Sequence, residues 1–460
     1  MKKLVFIFTF LLPVFASAQF NYSESFPLDN LWQNVGNAGF SAGGAQFLSL
    51  AFSPSGVPYI AYQDFAYADK ASVMKYDGTH WVNVGNAGFS AGLAIYTSLA
   101  FSPDGQPYVA YEDEEEYYGK AEVKKYDGTN WVNVGIVGFA AGMVGYTCLV
   151  FSPKDGQPYL AYKDYGNSGK ATVMKFDGTN WVNVGSPAFS AGEAYYTSLA
   201  FSPSGQPYVA FQDWGNSYKT TVMKFDGTDW VNVGNAGFSA GSAMYTSIAF
   251  STSGEPYVAF KDDGNSEAAT VMKFDGTNWV NVGNAGFSTT VAHYTNLAFS
   301  DTDQPYVAFQ DWGNSYKTTV MKFDGTNWVN VGNKGFSSGE AGFLSLAFNQ
   351  TGKPYVAYQD GVNSLGVTVM KYDYQDGIID LQQVPLFLYP NPSFDEIYIE
   401  TSENQNHSEL SIINLDGQQI IRRQLTEPKT QIDISSLPSG VYFVRVTGER
   451  AVQVVKFLKQ

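Results

Sequence analysis

Apolar positions along most of this chain come in short blocks, each bounded by turn chemistry. One unit shows the pattern. Tyr196–Ser202 (YTSLAFS) is followed by a Pro-Ser-Gly-Gln turn, and Pro207–Asp213 (PYVAFQD) by the loop WGNSYK. Then come Thr220–Asp226 (TTVMKFD), a Gly-Thr-Asp turn and Trp230–Gly234 (WVNVG). Four β-strands, a to d, are predicted, and no stretch carries a helical period. Strands a and b are apolar at almost every position, which suits strands covered on both faces. Strands c and d mix Lys and Asn into the apolar set, so they are expected further out.

The unit recurs. Trp32, Trp81, Trp131, Trp181, Trp230, Trp279 and Trp328 mark successive copies of strand d, at spacings of 49, 50, 50, 49, 49 and 49. The eighteen residues Phe211–Thr228 return unchanged as Phe309–Thr326, two periods later. Both one-residue expansions fall in loops, in EDEEEYYGK and SPKDGQP, where insertions are tolerated. Repeats of this length build propellers or solenoids. The ends decide between them. The first repeat element is a strand d at Trp32, and the last is a strand c, Val367–Asp373, with no strand d after it. Pairing Trp32–Val35 with Val367–Tyr372 completes seven blades and removes open sheet edges. A solenoid would need polar capping repeats, and none is seen. The expectation is an all-β chain: a seven-bladed β-propeller over residues 19–374, then a small Ig-like β-sandwich.

The start, MKKLVFIFTFLLPVFASAQF, has two lysines, an apolar run and an Ala-Ser-Ala site. It reads as a signal peptide over residues 1–18, its apolar run being short for a membrane span. No later segment reads as one. From about Val384 the repeat stops. Residues 375–385 are taken as a linker and 386–460 as a second domain of alternating strands with Asp-Gly and Pro-Ser-Gly turns. Tyr389-Pro390-Asn391-Pro392, Asp416-Gly417, Leu437-Pro438-Ser439-Gly440-Val441-Tyr442 and the basic finish at Lys456 and Lys459 carry a resemblance. The segment resembles the type A C-terminal sorting domain of the type IX secretion pathway of Bacteroidetes. That resemblance implies export through the outer-membrane type IX machinery, with the tail commonly removed and the product released or held at the cell surface.

Charge narrows the ligand class. The formal net charge is −16, and all four arginines lie near the C-terminus. The two N-terminal lysines cancel the acid excess of the last 77 residues, so the repeats carry the whole −16 without an arginine. Nucleic acid, anionic membranes and phosphate groups recruit clustered Arg and Lys, so they are poor partners here. The single cysteine, Cys148, takes the place of Ser98, Ser198 or Asn296 in other copies and is expected as a small buried residue.

The Asp-Gly-Thr-x-Trp of each c–d turn resembles a kelch hairpin and, loosely, the Asp box of sialidase-like propellers. The kelch Gly-Gly pair is absent, and sialidase sites resemble one another in clamping carboxylates with arginines. These residues are read as a tight turn with a Trp packed between blades. Strand b ends in Asp64, Asp113, Asp164, Asp213, Asp262, Asp311 or Asp360. Such carboxylates either cap the following loop or, with loop carbonyls, hold Ca²⁺; no other cofactor or metal is indicated. Both the b–c and the longer d–a connections leave the same end of the ring. That end carries the variation: Phe65 and Tyr67, Tyr117 and Tyr118, Tyr165, Trp214 and Tyr218, Trp312 and Tyr316. Aromatics beside Asp, Asn and Gln suit sugar stacking, a protein interface or loop-on-loop packing.

Catalysis finds little support. His80, His293 and His407 fall at unrelated positions, no acidic pair is singled out, and Glu114–Glu116 is a charge run. The ligand-binding set is therefore the seven aspartates with Trp214, Tyr218, Trp312 and Tyr316. The sorting set is Tyr389, Pro390, Asn391, Pro392, Gly440, Tyr442 and Lys456. The expected function is a secreted or cell-surface, non-enzymatic recognition or adhesion protein, monomeric, binding glycans or proteins. The alternatives are a polysaccharide-directed hydrolase and a structural scaffold.

Overall fold

The computed structural model describes residues 32–114, 118–373, 387–400, 408–414, 418–425, 427, 429–447 and 452–460. The expected signal peptide and linker, Tyr117, and the Asp416-Gly417 turn lie outside these residues. The chain divides into two compact units between Asp373 and Tyr374.

The first unit holds seven four-stranded antiparallel sheets. Blade 4 is typical: a is Ala194–Phe201, b Pro207–Asp213, c Lys219–Phe225 and d Trp230–Asn232, paired in that order. Every residue of strand b is buried. Val209 and Phe211 pack on one side with Tyr159 and Ala161 of blade 3. Tyr208 and Ala210 pack on the other with Val258 and Phe260 of blade 5. The uninterrupted apolar run thus serves two inter-blade cores at once.

Blade 7 is assembled from both ends of the repeat region. Its strands a, b and c are Ala341–Phe348, Pro354–Asp360 and Gly366–Tyr372, and its d is Trp32–Asn34. Trp32 pairs with Tyr372, Gln33 with Lys371 and Asn34 with Met370, and the Val35 N–H donates to the Val369 carbonyl at 2.8 Å. The ring is closed.

Three sets of bonds repeat around it. On the outside, each Trp of strand d stacks on a Phe of the d–a connection and donates to a Val carbonyl of the preceding blade. For Trp230 these are Phe189, at 4.3 Å between centroids, and Val184 O, at 2.7 Å. Trp32 does the same at the seam, with Phe336 at 4.2 Å and Val331 O at 2.7 Å. Further in, a strand-a side chain accepts the N–H of the next blade: Ser98 from Leu149 at 2.9 Å, Asn296 from Leu346 at 2.9 Å, and Ser345 from Leu50 at 3.0 Å across the seam. Cys148 belongs to this series, its Sγ facing the Leu199 N–H at 3.3 Å. It is half-buried rather than buried, and it also packs against the apolar core between blades 3 and 4.

The innermost set is a collar. Each strand a carries a two-residue bulge. Its first residue is Phe47, Tyr96, Tyr146, Tyr196, Tyr245, Tyr294 or Phe343, at φ of 50° to 54°. Neighbouring rings touch all the way round, at 4.7–5.3 Å between centroids. Left-handed backbone is costly for a bulky residue. Part of that cost is offset by a hydroxyl from the next blade: Thr295 donates to the Tyr245 carbonyl at 2.6 Å, and Thr97, Thr147, Thr197 and Thr246 do likewise for the preceding collar residues.

The second unit is a β-sandwich. A three-stranded sheet (Phe387–Tyr389, Glu396–Glu400, Lys429–Asp433) and a four-stranded one (Gln419–Leu425, Ser408–Asn414, Gly440–Thr447, Val452–Lys459) enclose Ile397, Ile399, Leu410, Ile412, Val444 and Phe457. Asn391 fastens the Tyr-Pro-Asn-Pro segment to the last strand, accepting from Leu458 N at 2.9 Å and donating to Lys456 O at 3.1 Å. The Tyr442 hydroxyl donates to Pro438 O at 2.9 Å and holds the Pro-Ser-Gly turn. Tyr389 stacks on Tyr398, Gly440 pairs with Lys459, and Lys456 is exposed.

Candidate recognition face

The b–c turn is the unit of this face. In blade 4, Asp213 ends strand b and is buried. Its Oδ1 accepts from Gly215 N at 3.0 Å. Its Oδ2 accepts from Asn216 Nδ2 at 2.7 Å and Thr221 Oγ1 at 2.9 Å. One carboxylate thus closes a short 3₁₀ turn, Trp214–Asn216, and ties it to strand c. The turn exits through two left-handed residues, Ser217 and Tyr218, at φ of 58° and 61°. Its backbone is pinned at both ends: Trp214 N donates to Glu193 O, and Tyr218 O accepts from Ala243 N of the next blade. The neighbouring d–a connection lies so close that a Cβ on Gly192 would sit 2.3 Å from Gly215 N.

The same device recurs. Asp262 accepts from Gly264 N, Asn265 and Thr270, and Asp360 from Val362 N, Asn363 and Thr368. Asp311 takes Thr290, Asn314 and Thr319, and Asp64 takes Ala66 N and Ser72. Asp164 accepts from Asn167 and Thr172, and its Oδ1 has no partner. Asp113 accepts from Gly92 N. All seven are at most 3% exposed. The aspartates thus brace the b–c turns from within. These bonds run to loop and strand-c donors, and the carboxylates lie behind the surface. Among the described residues no three His, Cys, Asp or Glu side chains gather as a metal set.

The aromatics stand in front. Trp214 is 51% exposed, Tyr218 41%, Trp312 50% and Tyr316 37%, and Phe65, Tyr67, Tyr118 and Tyr165 are also exposed. The two identical stretches differ in their surroundings. Trp312 stacks on Tyr316, with centroids 6.0 Å apart and planes 17° from parallel. In blade 4, Tyr218 instead meets Tyr195 at 6.2 Å, where blade 6 has His293. Burial pulls the His293 imidazole below its usual pKa, with nearby Lys261 acting the same way. Between blades 3 and 4, buried Lys163 lies 3.5 Å from the Tyr195 ring centre and 2.6 Å from Glu193.

Sequence reasoning missed two features. Glu112 precedes Asp113 where the other blades carry Gln or Lys, and burial, then Glu114, pushes its carboxyl up to about 8. The other is the collar. Its signal was available, since an aromatic stands directly before Thr or Leu in every strand a.

Residues 387–460 match the family described as the secretion system C-terminal sorting domain. The second unit is such a sorting domain. It agrees with the resemblance read from Tyr389, Gly440 and Tyr442, and it marks the chain for the cell surface or the medium. The stretch matched in karilysin of Tannerella forsythia is 33% identical over 87 residues, which is 16% of this chain and 18% of karilysin. The chain thus corresponds to less than a fifth of that relative's length. PorZ, a surface component of the type IX secretion system of Porphyromonas gingivalis, is 14% identical across 91% of this chain and 60% of its own, with a TM-score of 0.49. The six-bladed lectin of Aleuria aurantia is 16% identical across 62% of this chain and 94% of its own, with a TM-score of 0.43. Structures at this level of likeness include lectins and a polysaccharide lyase alike, so no activity is carried over from them. Among the described residues no helix is long and apolar enough to cross a membrane.

Proposed function

We propose that the propeller is a non-enzymatic recognition module, exported by the type IX machinery and acting as a monomer, whose b–c turns bind glycans at the cell surface or outside it. One observation carries this reading: Trp214, Tyr218, Trp312 and Tyr316 stand exposed on turns that are themselves tightly bonded from beneath. A large aromatic left about half in water on a fixed backbone gains less for folding than one fully buried. It offers a flat π-face, negative at its centre, to the C–H groups of a sugar ring. The backbone is ordered beforehand, so little entropy is lost on binding. The turns themselves carry Asn and Ser in a region without arginine, which suits neutral hydroxyls better than phosphate or carboxylate ligands.

The test is a glycan array probed with the propeller and with the Trp214→Ala/Trp312→Ala double variant. Selective glycan binding that the double variant loses, at an unchanged unfolding midpoint, is the expected result. Binding unaffected by the double variant refutes the loop assignment. Turnover of a bound glycan refutes the non-enzymatic reading.

A further inference from the structure

The collar surrounds a space on the ring axis, a cavity of about 270 Å³ lined only by the bulge residues of the seven strands a and their neighbours. Its position follows from the pairing. Strand a begins opposite the Asp that ends strand b, as Ala194 pairs with Asp213, so its third residue lies just beneath the recognition face. The lining contains no Lys, Arg, His, Asp or Glu. Its Thr hydroxyls are committed to carbonyls of the neighbouring blade. Cys148, Ser198, Ser247 and Asn296, also in the lining, accept N–H groups of the next blade, and the tyrosines add their phenol groups. Among the described residues, the hydroxyls of Tyr196, Tyr245 and Tyr294 have no hydrogen-bond acceptor in the protein. Burial pushes the Tyr96 phenol up to about 12 and raises those of Tyr196 and Tyr294, so all stay protonated and uncharged near neutral pH.

A cavity of this kind selects its ligand by exclusion. Charged groups would meet no counter-charge there and would lose hydration. A purely apolar ligand would leave the phenol groups without partners. Clefts for drug-sized ligands run to about 300–1,000 Å³, so this one suits something of about one sugar ring. We infer that the axial cavity is a separate binding site for one neutral sugar unit, gripped by the collar rings and hydrogen-bonded by Tyr196, Tyr245 and Tyr294. The choice of sugar as ligand class rests on the recognition reading above, but the site shares none of its residues.

The experiment uses the full secreted chain, a panel of neutral methyl hexosides, and glucosamine, glucuronic acid and tetramethylammonium as charged probes. Binding and stoichiometry are read by calorimetry. The key variant is Tyr196→Phe/Tyr245→Phe. It keeps both rings, and Phe already stands at the equivalent collar positions 47 and 343, so folding is preserved and checked by an unchanged midpoint. Binding of a neutral hexoside at one per chain is expected. It should weaken at least tenfold in the double Phe variant and persist in Trp214→Ala/Trp312→Ala. The proposal is overturned if no hexoside binds, if the Phe variant binds as well as the parent, or if a charged probe binds more tightly. Hexoside binding lost only in the Trp variant overturns the axial site while leaving the loop reading intact. Array binding that survives the Trp variant but falls in the Phe variant does the reverse.

Discussion

Replacing Trp32 by Ala tests whether the ring is held shut by its own two ends. Trp32 is 2% exposed, stacks on Phe336 at 4.2 Å and donates to Val331 O at 2.7 Å. Truncating a buried Trp to Ala costs about 3–5 kcal/mol. The orphaned Val331 carbonyl adds about 1 kcal/mol, so roughly 4–6 kcal/mol is at stake. Trp230→Ala is the control, because Trp230 makes the same contacts, with Phe189 at 4.3 Å and Val184 O at 2.7 Å. The two sites share these contacts and differ in connectivity. Trp230 is joined to strand c of its own blade by a tight turn, whereas the Trp32 strand reaches blade 7 by pairing alone. Urea unfolding followed by far-ultraviolet circular dichroism should show both variants destabilised by similar amounts. Amide exchange separates them. Only Trp32→Ala should speed exchange across Gly366–Tyr372, the strand it covers. Unchanged exchange at Val369 to Tyr372, or a midpoint equal to the parent, refutes closure through this strand.

The other expectations concern single blades. Asp213→Asn should cost about 1–3 kcal/mol in urea unfolding, because an amide cannot accept from Gly215, Asn216 and Thr221 together. It should also weaken glycan binding without touching an aromatic. Glu112 sets a pH dependence. Its carboxyl is pushed up to about 8, against 4.5 in the free side chain, so between these values the folded chain holds a proton that the unfolded chain has lost. Stability therefore falls as pH rises through that interval and is lowest above it. Glu112→Gln should match the parent at pH values below the interval and exceed it above, in unfolding midpoints measured across pH; equal profiles refute the shift. Gly192→Ala places a Cβ 2.3 Å from Gly215 N, so it should displace the Trp214 turn and lower glycan binding on the array; unchanged binding refutes the role of that turn.

The propeller was legible because its evidence is additive. Seven tryptophans at near-constant spacing outweigh any one ambiguous strand, and a spare strand d at Trp32 facing a missing one after Asp373 leaves one economical closure. The aspartates were harder, since an Asp closing a strand serves a metal or a loop with equal ease. The deciding pattern was nevertheless present. An Asn three residues on and a Ser or Thr eight residues on supply side-chain donors in most blades, as Asn216 and Thr221 do for Asp213. A carboxylate with its own donors written beside it is already engaged with its loop.

The collar was hidden for a different reason. A Tyr before Thr in an apolar run reads as one more alternating strand residue, because bulky side chains avoid the left-handed region. Only the closed ring makes that conformation worthwhile, since it supplies the Thr hydroxyl of the next blade and the two neighbouring rings at the same moment. Symmetry therefore has two consequences here. On the rim it is broken, with Tyr218 against Tyr195 in blade 4 and Tyr316 against Trp312 in blade 6, so two identical stretches become different sites. On the axis it is kept, and seven weakly informative positions converge on one small neutral space that no single repeat contains.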